Sequence, residues 1–268
     1  MEFGLIWMKI ILQLLCVFVS TLAYDDQYLQ NLMNNRQVVS DGLSLNGTSL
    51  HKLRYGKSIH KVRTILNVEN WSRYPLLDAQ TDTHCGEITP IYPAPNVYPG
   101  YREVMVAASS RVFSGTCGTI SWQVIGLSVR LVVMWSVPYN LNLHDTYIGI
   151  AMVYNSGVFK TSKFWFNKMY YSDQGPHSRG LGGRVLMYEN SHLVIYGYIE
   201  SWTYHPLLNI SVVPQRHSNL APSVVSRLYR EVAEGKAASV TAGAEKEMSG
   251  PAIVFILIIN VLLIAVVL

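Results

Sequence analysis

Hydrophobic positions divide this chain into two apolar ends and a long middle of alternating and branched residues. Strand patterning recurs through the middle, over residues 61–68, 103–108, 119–125, 129–138, 147–154, 184–188, 192–199 and 207–213. Turn-forming residues separate these runs, among them Asn155-Ser156-Gly157 and Glu189-Asn190-Ser191. Many short strands at this spacing predict a β-sandwich. Leu131-Val132-Val133-Met134-Trp135 is continuously apolar, the pattern of a strand covered on both faces. Residues 161–171 break the pattern. They open on Thr161 and Ser162, good helix N-caps, and lack β-branched residues afterwards. Phe166 and Tyr170 are four apart and share one helix face. The spacing therefore predicts a short aromatic helix on the sandwich, and core packing alone would account for it. Ser49 to Tyr55 predicts a second short helix ended by Gly56, with a partly ordered arm as the alternative.

Residues 1–23 read as a secretory signal. Lys9 supplies the positive region, residues 10–19 are almost wholly apolar, and Thr21 and Ala23 are the small residues a signal peptidase prefers. The apolar run is too short to span a bilayer. Cleavage would leave Tyr24 first and remove Cys16. At the other end, residues 252–268 are uncharged and almost wholly apolar, after a stretch of small and polar residues. This layout fits a GPI-attachment signal, a transmembrane helix or a trimmed propeptide. The expected plan is a signal (1–23), an N-terminal arm (24–60), the sandwich (61–214), a polar linker (215–251) and a hydrophobic segment (252–268). The fold class is mainly β: a β-sandwich flanked by short α-helices, with an N-terminal signal helix and a C-terminal hydrophobic helix.

Charge narrows the function classes. Net charge is +4 with pI about 8.9, and charged residues are only 14%. Nucleic-acid binding calls for a dense basic stripe, which is lacking. There is no phosphate loop and no His-Glu-x-x-His zinc motif. Gly180-Leu181-Gly182-Gly183 does not follow a strand and open a helix, so it reads as a turn. The eight His are scattered without short ligand spacings. No nucleophile, carboxylate pair or metal set stands out, so the expectation is no enzyme, no metal and no cofactor. Three glycosylation sequons begin at Asn46, Asn70 and Asn209. Cys85 and Cys117 remain after signal removal. They form either a bridge, favoured in an oxidising compartment, or a free buried pair.

Around residue 132 the chain resembles a known family. Val132-Val133-Met134-Trp135-Ser136-Val137-Pro138-Tyr139-Asn140 is similar to a strand and loop of actinoporins, and Phe166 with Met169-Tyr170-Tyr171 to their aromatic helix. Arg179-Gly180-Leu181-Gly182 and Met187 to His192 resemble their later loop and hairpin. Val68-Glu69-Asn70-Trp71-Ser72 and Val97-Tyr98-Pro99-Gly100 match upstream. The similarity runs in order over residues 61–199. The C-terminal extension makes mollusc salivary echotoxins the best match within the family.

The resemblance implies a secreted cytolysin that acts at the target cell membrane. Monomers bind a phosphocholine headgroup, typically sphingomyelin, then self-associate and insert an N-terminal amphipathic helix as the wall of a cation-permeable pore. Carried over by residue, the headgroup site would hold Ser136, Pro138, Phe166, Tyr170 and Tyr171, with Cys117 near another pocket position. The membrane-interface loop would carry Tyr139, Leu143, His144 and Tyr147. This chain departs from the pattern in that loop, where actinoporins place a Trp/Tyr cluster. Phe166 stands for a tyrosine, and Gln174-Gly175-Pro176 for an Arg-Gly-Asp. These departures leave a glycolipid head open as the ligand. A tethered, lectin-like recognition module without lysis is the alternative function.

Overall fold

The structure, a computed structural model, describes residues 44, 47–56, 58–154, 162–172 and 174–233. Eleven strands are found among them: β1 (Arg63–Asn70), β2 (Leu76–Cys85), β3 (Glu87–Ile88), β4 (Arg102–Ala108), β5 (Thr116–Val124), β6 (Val129–Val137), β7 (Tyr147–Tyr154), β8 (His177–Leu181), β9 (Val185–Glu189), β10 (Leu193–Ile199) and β11 (Leu207–Pro214). Three helices join them: α1 (Leu50–Tyr55), α2 (Ser162–Tyr171) and α3 (Pro222–Ala233). The strands form a six-stranded sheet, ordered β3-β4-β1-β11-β10-β9, and a five-stranded sheet, ordered β2-β5-β6-β7-β8. β1 and β11 run parallel. The other pairs are antiparallel. The fold is a β-sandwich with a few short helices.

Alternation along the strands builds the core. Leu131, Val133 and Trp135 of β6 meet Leu66, Val68, Ile195 and Ile210 of the other sheet in one buried cluster. The alternate β6 residues, Val132 and Met134, point to the opposite face and pack under Trp165, Phe166 and Met169 of α2. That two-sided cover explains the unbroken apolar run in β6.

All eight strands expected from patterning are present. The pattern misses β2, β3 and β8, and all three are edge strands. Only one neighbour and partial cover are available to an edge strand, so its sequence stays polar, as in Asp78-Ala79-Gln80-Thr81-Asp82 of β2. β8 contains Gly180 and Leu181, so the first half of the glycine stretch is strand. Gly182 and Gly183 alone make the turn. β2 also carries an irregularity between Leu77 and Gln80. Asp78 sits there with φ 53°, clamped by the Arg130 guanidinium, which donates to its carboxylate at 2.9 Å and to its carbonyl at 2.7 Å.

The outer faces of the two sheets differ. On the six-stranded sheet, Leu53 of α1 covers Ile65, Val104 and Val106. Next to that apolar spot lies a buried polar ladder. Arg102 pairs with Glu69 at 2.7 Å, and the Asn67 amide donates to Asn209 at 2.9 Å. α1 is capped by the Ser49 hydroxyl, which accepts from the Lys52 amide. It is six residues long and ends at Gly56, and it is the described helical part of the arm expected over residues 24–60. Within the expected linker 215–251, residues 222–233 are helical. Pro222 opens that helix, a position where its missing N–H does no harm, and Val224 is buried.

Candidate functional site

Strand register fixes where the aromatic helix meets the sheet. Cys85 of β2 faces Cys117 of β5, Cys117 faces Ser136 of β6, Ser136 faces Tyr147 of β7, and Tyr147 faces Leu181 of β8. Cross-strand partners share a face, so these five residues form one row across the end of the five-stranded sheet. Cys85 and Cys117 are bridged, with Cα atoms 4.9 Å apart. The row runs along the face that α2 covers. Gly149 of β7 lets the helix approach: a Cβ there would lie 3.1–3.3 Å from Met134 and Met169 atoms.

The rings of α2 are locked into a stack. Phe166 is 4% exposed. His84 lies 4.4 Å from it at 29°, and Tyr170 lies 5.4 Å from it at 11°. Tyr170 meets Tyr147 edge-on at 5.6 Å and Tyr171 edge-on at 4.9 Å. Arg179 of β8 lies 5.3 Å over the Tyr147 ring and donates to the Tyr170 carbonyl. This ties the C-terminal end of the helix to the sheet edge. Ser136 is buried, 9% exposed, and Pro138 follows it, half-buried. Tyr171 projects outward, 75% exposed.

The structure therefore brings Ser136, Tyr147, Tyr170 and Tyr171 into one corner. It changes the expectation for three residues. Phe166 is enclosed between His84 and Tyr170, so it sets the tilt of Tyr170 and presents no open face. Cys117 has spent its thiol on the bridge and cannot donate from S–H. Tyr147 is a member of this corner, not of the loop. Sequence reasoning missed His84 and named Arg179 only as part of a matching motif, because nothing along the chain signals their packing against α2.

The loop after β6 also differs from expectation. Tyr139 packs against the core, meets Phe113 edge-on at 5.2 Å and has the Lys61 ammonium 3.8 Å from its ring centre. Leu143, 73% exposed, and His144, also exposed, are open to contact. A cleft of about 180 Å³ lies beside them, lined by Leu141, Asp145, Arg184, Ser201 and Trp202 among others.

Two of the three sequons are structural. Asn70 is fully buried; its amide donates to the carbonyls of Tyr74 and Val97 at 2.8 and 3.2 Å. Asn209 is 8% exposed, and its side-chain Oδ1 accepts from the Asn67 amide. A glycan on the Asn70 nitrogen has no space in the folded chain. Asn46 lies outside the described residues. Among the described residues, no three His, Cys, Asp or Glu gather as a metal site needs, and no helix is long and apolar enough to cross a membrane.

No protein-family model matches the chain. Similar proteins are found among sea-snail toxins. Tereporin-Ts1 of Terebra subulata is 34% identical over 163 residues, covering 60% of this chain and 77% of that one. The chain belongs to the actinoporin-like toxins of molluscs, a pore-forming family. Conoporin-Cn1 of Conus consors is 28% identical, over 73% of this chain and 80% of that one. Echotoxin-2 of Monoplex parthenopeus is 24% identical, over 64% of each chain. Among solved structures, the lipid-binding protein Nakanori matches with a TM-score of 0.48 at 14% identity, over 61% of this chain and 75% of that one.

For an actinoporin-like chain, two departures have visible consequences. Phenylalanine at 166 lacks a hydroxyl where His84 stacks, so the ring serves packing. The loop after Pro138 keeps one exposed apolar side chain, Leu143, with its tyrosine turned inward onto Lys61 and Phe113.

Proposed function

We propose that the mature chain is a secreted cytolysin. It binds a lipid headgroup on target cell membranes, self-associates there and opens a cation-permeable pore without catalysis or a cofactor. The observation that carries this is the corner of Ser136, Tyr147, Tyr170 and Tyr171, anchored on a stacked ring pair and a disulfide and open at Tyr171. Tyrosine faces attract quaternary ammonium through the ring quadrupole. Hydroxyls of Ser136 and the tyrosines can donate to phosphate oxygens. A phosphocholine head of the sphingomyelin type answers both chemistries, and a glycolipid head would engage the hydroxyls alone. The tyrosines also have the form suited to a membrane interface, an apolar body with a polar tip.

Piercing the membrane is assigned to the arm that precedes β1, residues 24–60. Its described part is the six-residue α1, and Gly42, Gly47 and Gly56 weaken a longer helix in water. The proposal is that this arm leaves the sheet and becomes a longer helix in lipid. Anchoring through residues 252–268, which lie outside the described residues, would suit a tethered form.

Dye release tests the reading. The secreted protein is added to phosphatidylcholine vesicles with and without sphingomyelin, and to erythrocytes. Release and haemolysis are expected, with Tyr170→Ala plus Tyr171→Ala losing membrane binding while circular dichroism stays native. Binding without release would leave the lectin-like recognition module. Absence of binding to any vesicle or cell would overturn both.

A further inference from the structure

Among the described residues, three that are not glycine adopt left-handed backbone: Asp78 (φ 53°), Phe113 (φ 65°) and Trp202 (φ 58°). Bulky residues almost never do so, and such strain persists only where the surroundings enforce it. Asp78 is explained by the irregularity in β2 and its clamp by Arg130. The other two are aromatic and highly exposed, Phe113 at 76% and Trp202 at 73%. Burying either ring would remove apolar surface from water, yet both loops hold them outward.

Both rings lie at the same end of the sandwich. Phe113 sits in the loop leading into β5, whose first residue Thr116 faces Val137, the last of β6. Trp202 follows β10, whose end lies beside the start of β9, Val185. β9 is reached from Leu181 of β8, and Leu181 faces Tyr147. The end that carries Ser136 and Tyr147 thus also carries Phe113, Val112 at 80% exposure, Leu143 and Trp202. Lys61 knits this end together, 3.8 Å from the Tyr139 ring centre and 5.1 Å from that of Tyr204. Arg111, two residues before Phe113, and Arg184, which lines the cleft with Trp202, are exposed. Apolar rings interleaved with cations match the layering of a bilayer interface, where phosphates lie above acyl chains.

We propose that Phe113 and Trp202 are the bilayer anchors of this chain. They flank the headgroup corner from two other loops and supply the interfacial aromatics that the loop after Pro138 lacks. The occupant is a phospholipid bilayer surface. This rests on the membrane-binding reading above and adds which side chains enter the lipid.

Tryptophan emission isolates the claim. Trp71, Trp122, Trp135 and Trp165 are buried, so Trp202 is the exposed indole among the described residues. The secreted protein and Trp202→Phe are mixed with phosphatidylcholine–sphingomyelin vesicles, with and without brominated acyl chains, and cosedimentation is measured in parallel. The expected result is a blue shift and bromolipid quenching in the native protein, both lost in Trp202→Phe. Phe113→Ala and Trp202→Ala should each weaken vesicle partition by about tenfold, the value of withdrawing one large apolar side chain from lipid. Cosedimentation with unshifted, unquenched Trp202 emission would overturn the anchors and leave headgroup binding standing. Failure of the native protein to cosediment would overturn the membrane reading and the anchors with it.

Discussion

Two groups of aromatic residues sit at one end of this sandwich, built in opposite ways. His84, Phe166 and Tyr170 are stacked, with Tyr147 edge-on to Tyr170, on a sheet row tied by a disulfide. Phe113 and Trp202 stand on loops in strained backbone, with most of their surface in water. Ring stacking and burial stabilise the first group, whereas exposure and strain make the second a liability in water. The contrast teaches that stability accounts for the first group and not for the second. Stacked rings fix the shape of a site, and exposed rings on strained loops are placed to meet an apolar phase.

Helix α2 gives the sharpest way to break that contrast. Phe166 and Tyr171 are five residues apart and differ most in burial, 4% against 75%. Phe166→Ala should cost about 3–5 kcal/mol, the usual loss for emptying a buried phenylalanine site. Tyr171→Ala should change stability by about 0.5 kcal/mol or less while weakening vesicle binding. Urea unfolding of both variants checks this; similar losses would mean that Tyr171 is a packing residue and that the corner is not open. Next in size is the bridge. Cys85 and Cys117 are 32 residues apart, and reduction should lower stability by roughly 3–4 kcal/mol in the chain-entropy model. Thermal unfolding with and without reductant measures it. The Trp202 emission maximum should stay unchanged below the transition, because the bridge supports the stacked group and not the loops.

The helical part of the stacked group was legible along the chain because helical spacing puts Phe166 and Tyr170 on one face, and the family resemblance marks Ser136 and Tyr171; His84 was not. Most strands were equally legible, since the central ones are buried on alternating or both faces. What periodicity cannot show is tertiary. The edge strands β2 and β8 went unmarked by periodicity because an edge strand has one neighbour and partial cover. Asn70 and Asn209 read as glycan acceptors because a sequon is three letters long, while their burial depends on partners such as Val97 and Asn67, far away in sequence. Phe113 and Trp202 look like ordinary loop aromatics until the backbone angle and exposure are known. The helix at 222–233 was hidden by its polar residues, although Pro222 and the later Val224 and Leu228, four apart, carry a helical signal.

The smallest predicted effect tests the second group directly. At φ near +60°, a Cβ meets the neighbouring carbonyl, and glycine escapes that penalty. Phe113→Gly should therefore be more stable than Phe113→Ala by about 1 kcal/mol, and Trp202→Gly more stable than Trp202→Ala by a similar margin. Elsewhere the order reverses, since glycine adds freedom to the unfolded chain. Both glycine variants should still lose vesicle binding as the alanine variants do, because the ring is gone in each. Urea midpoints for the four variants, with vesicle cosedimentation alongside, separate strain from contact. Alanine variants as stable as their glycine counterparts would show that the loops relax at no cost, and the rings would then be exposed by accident of sequence, not held outward by the fold.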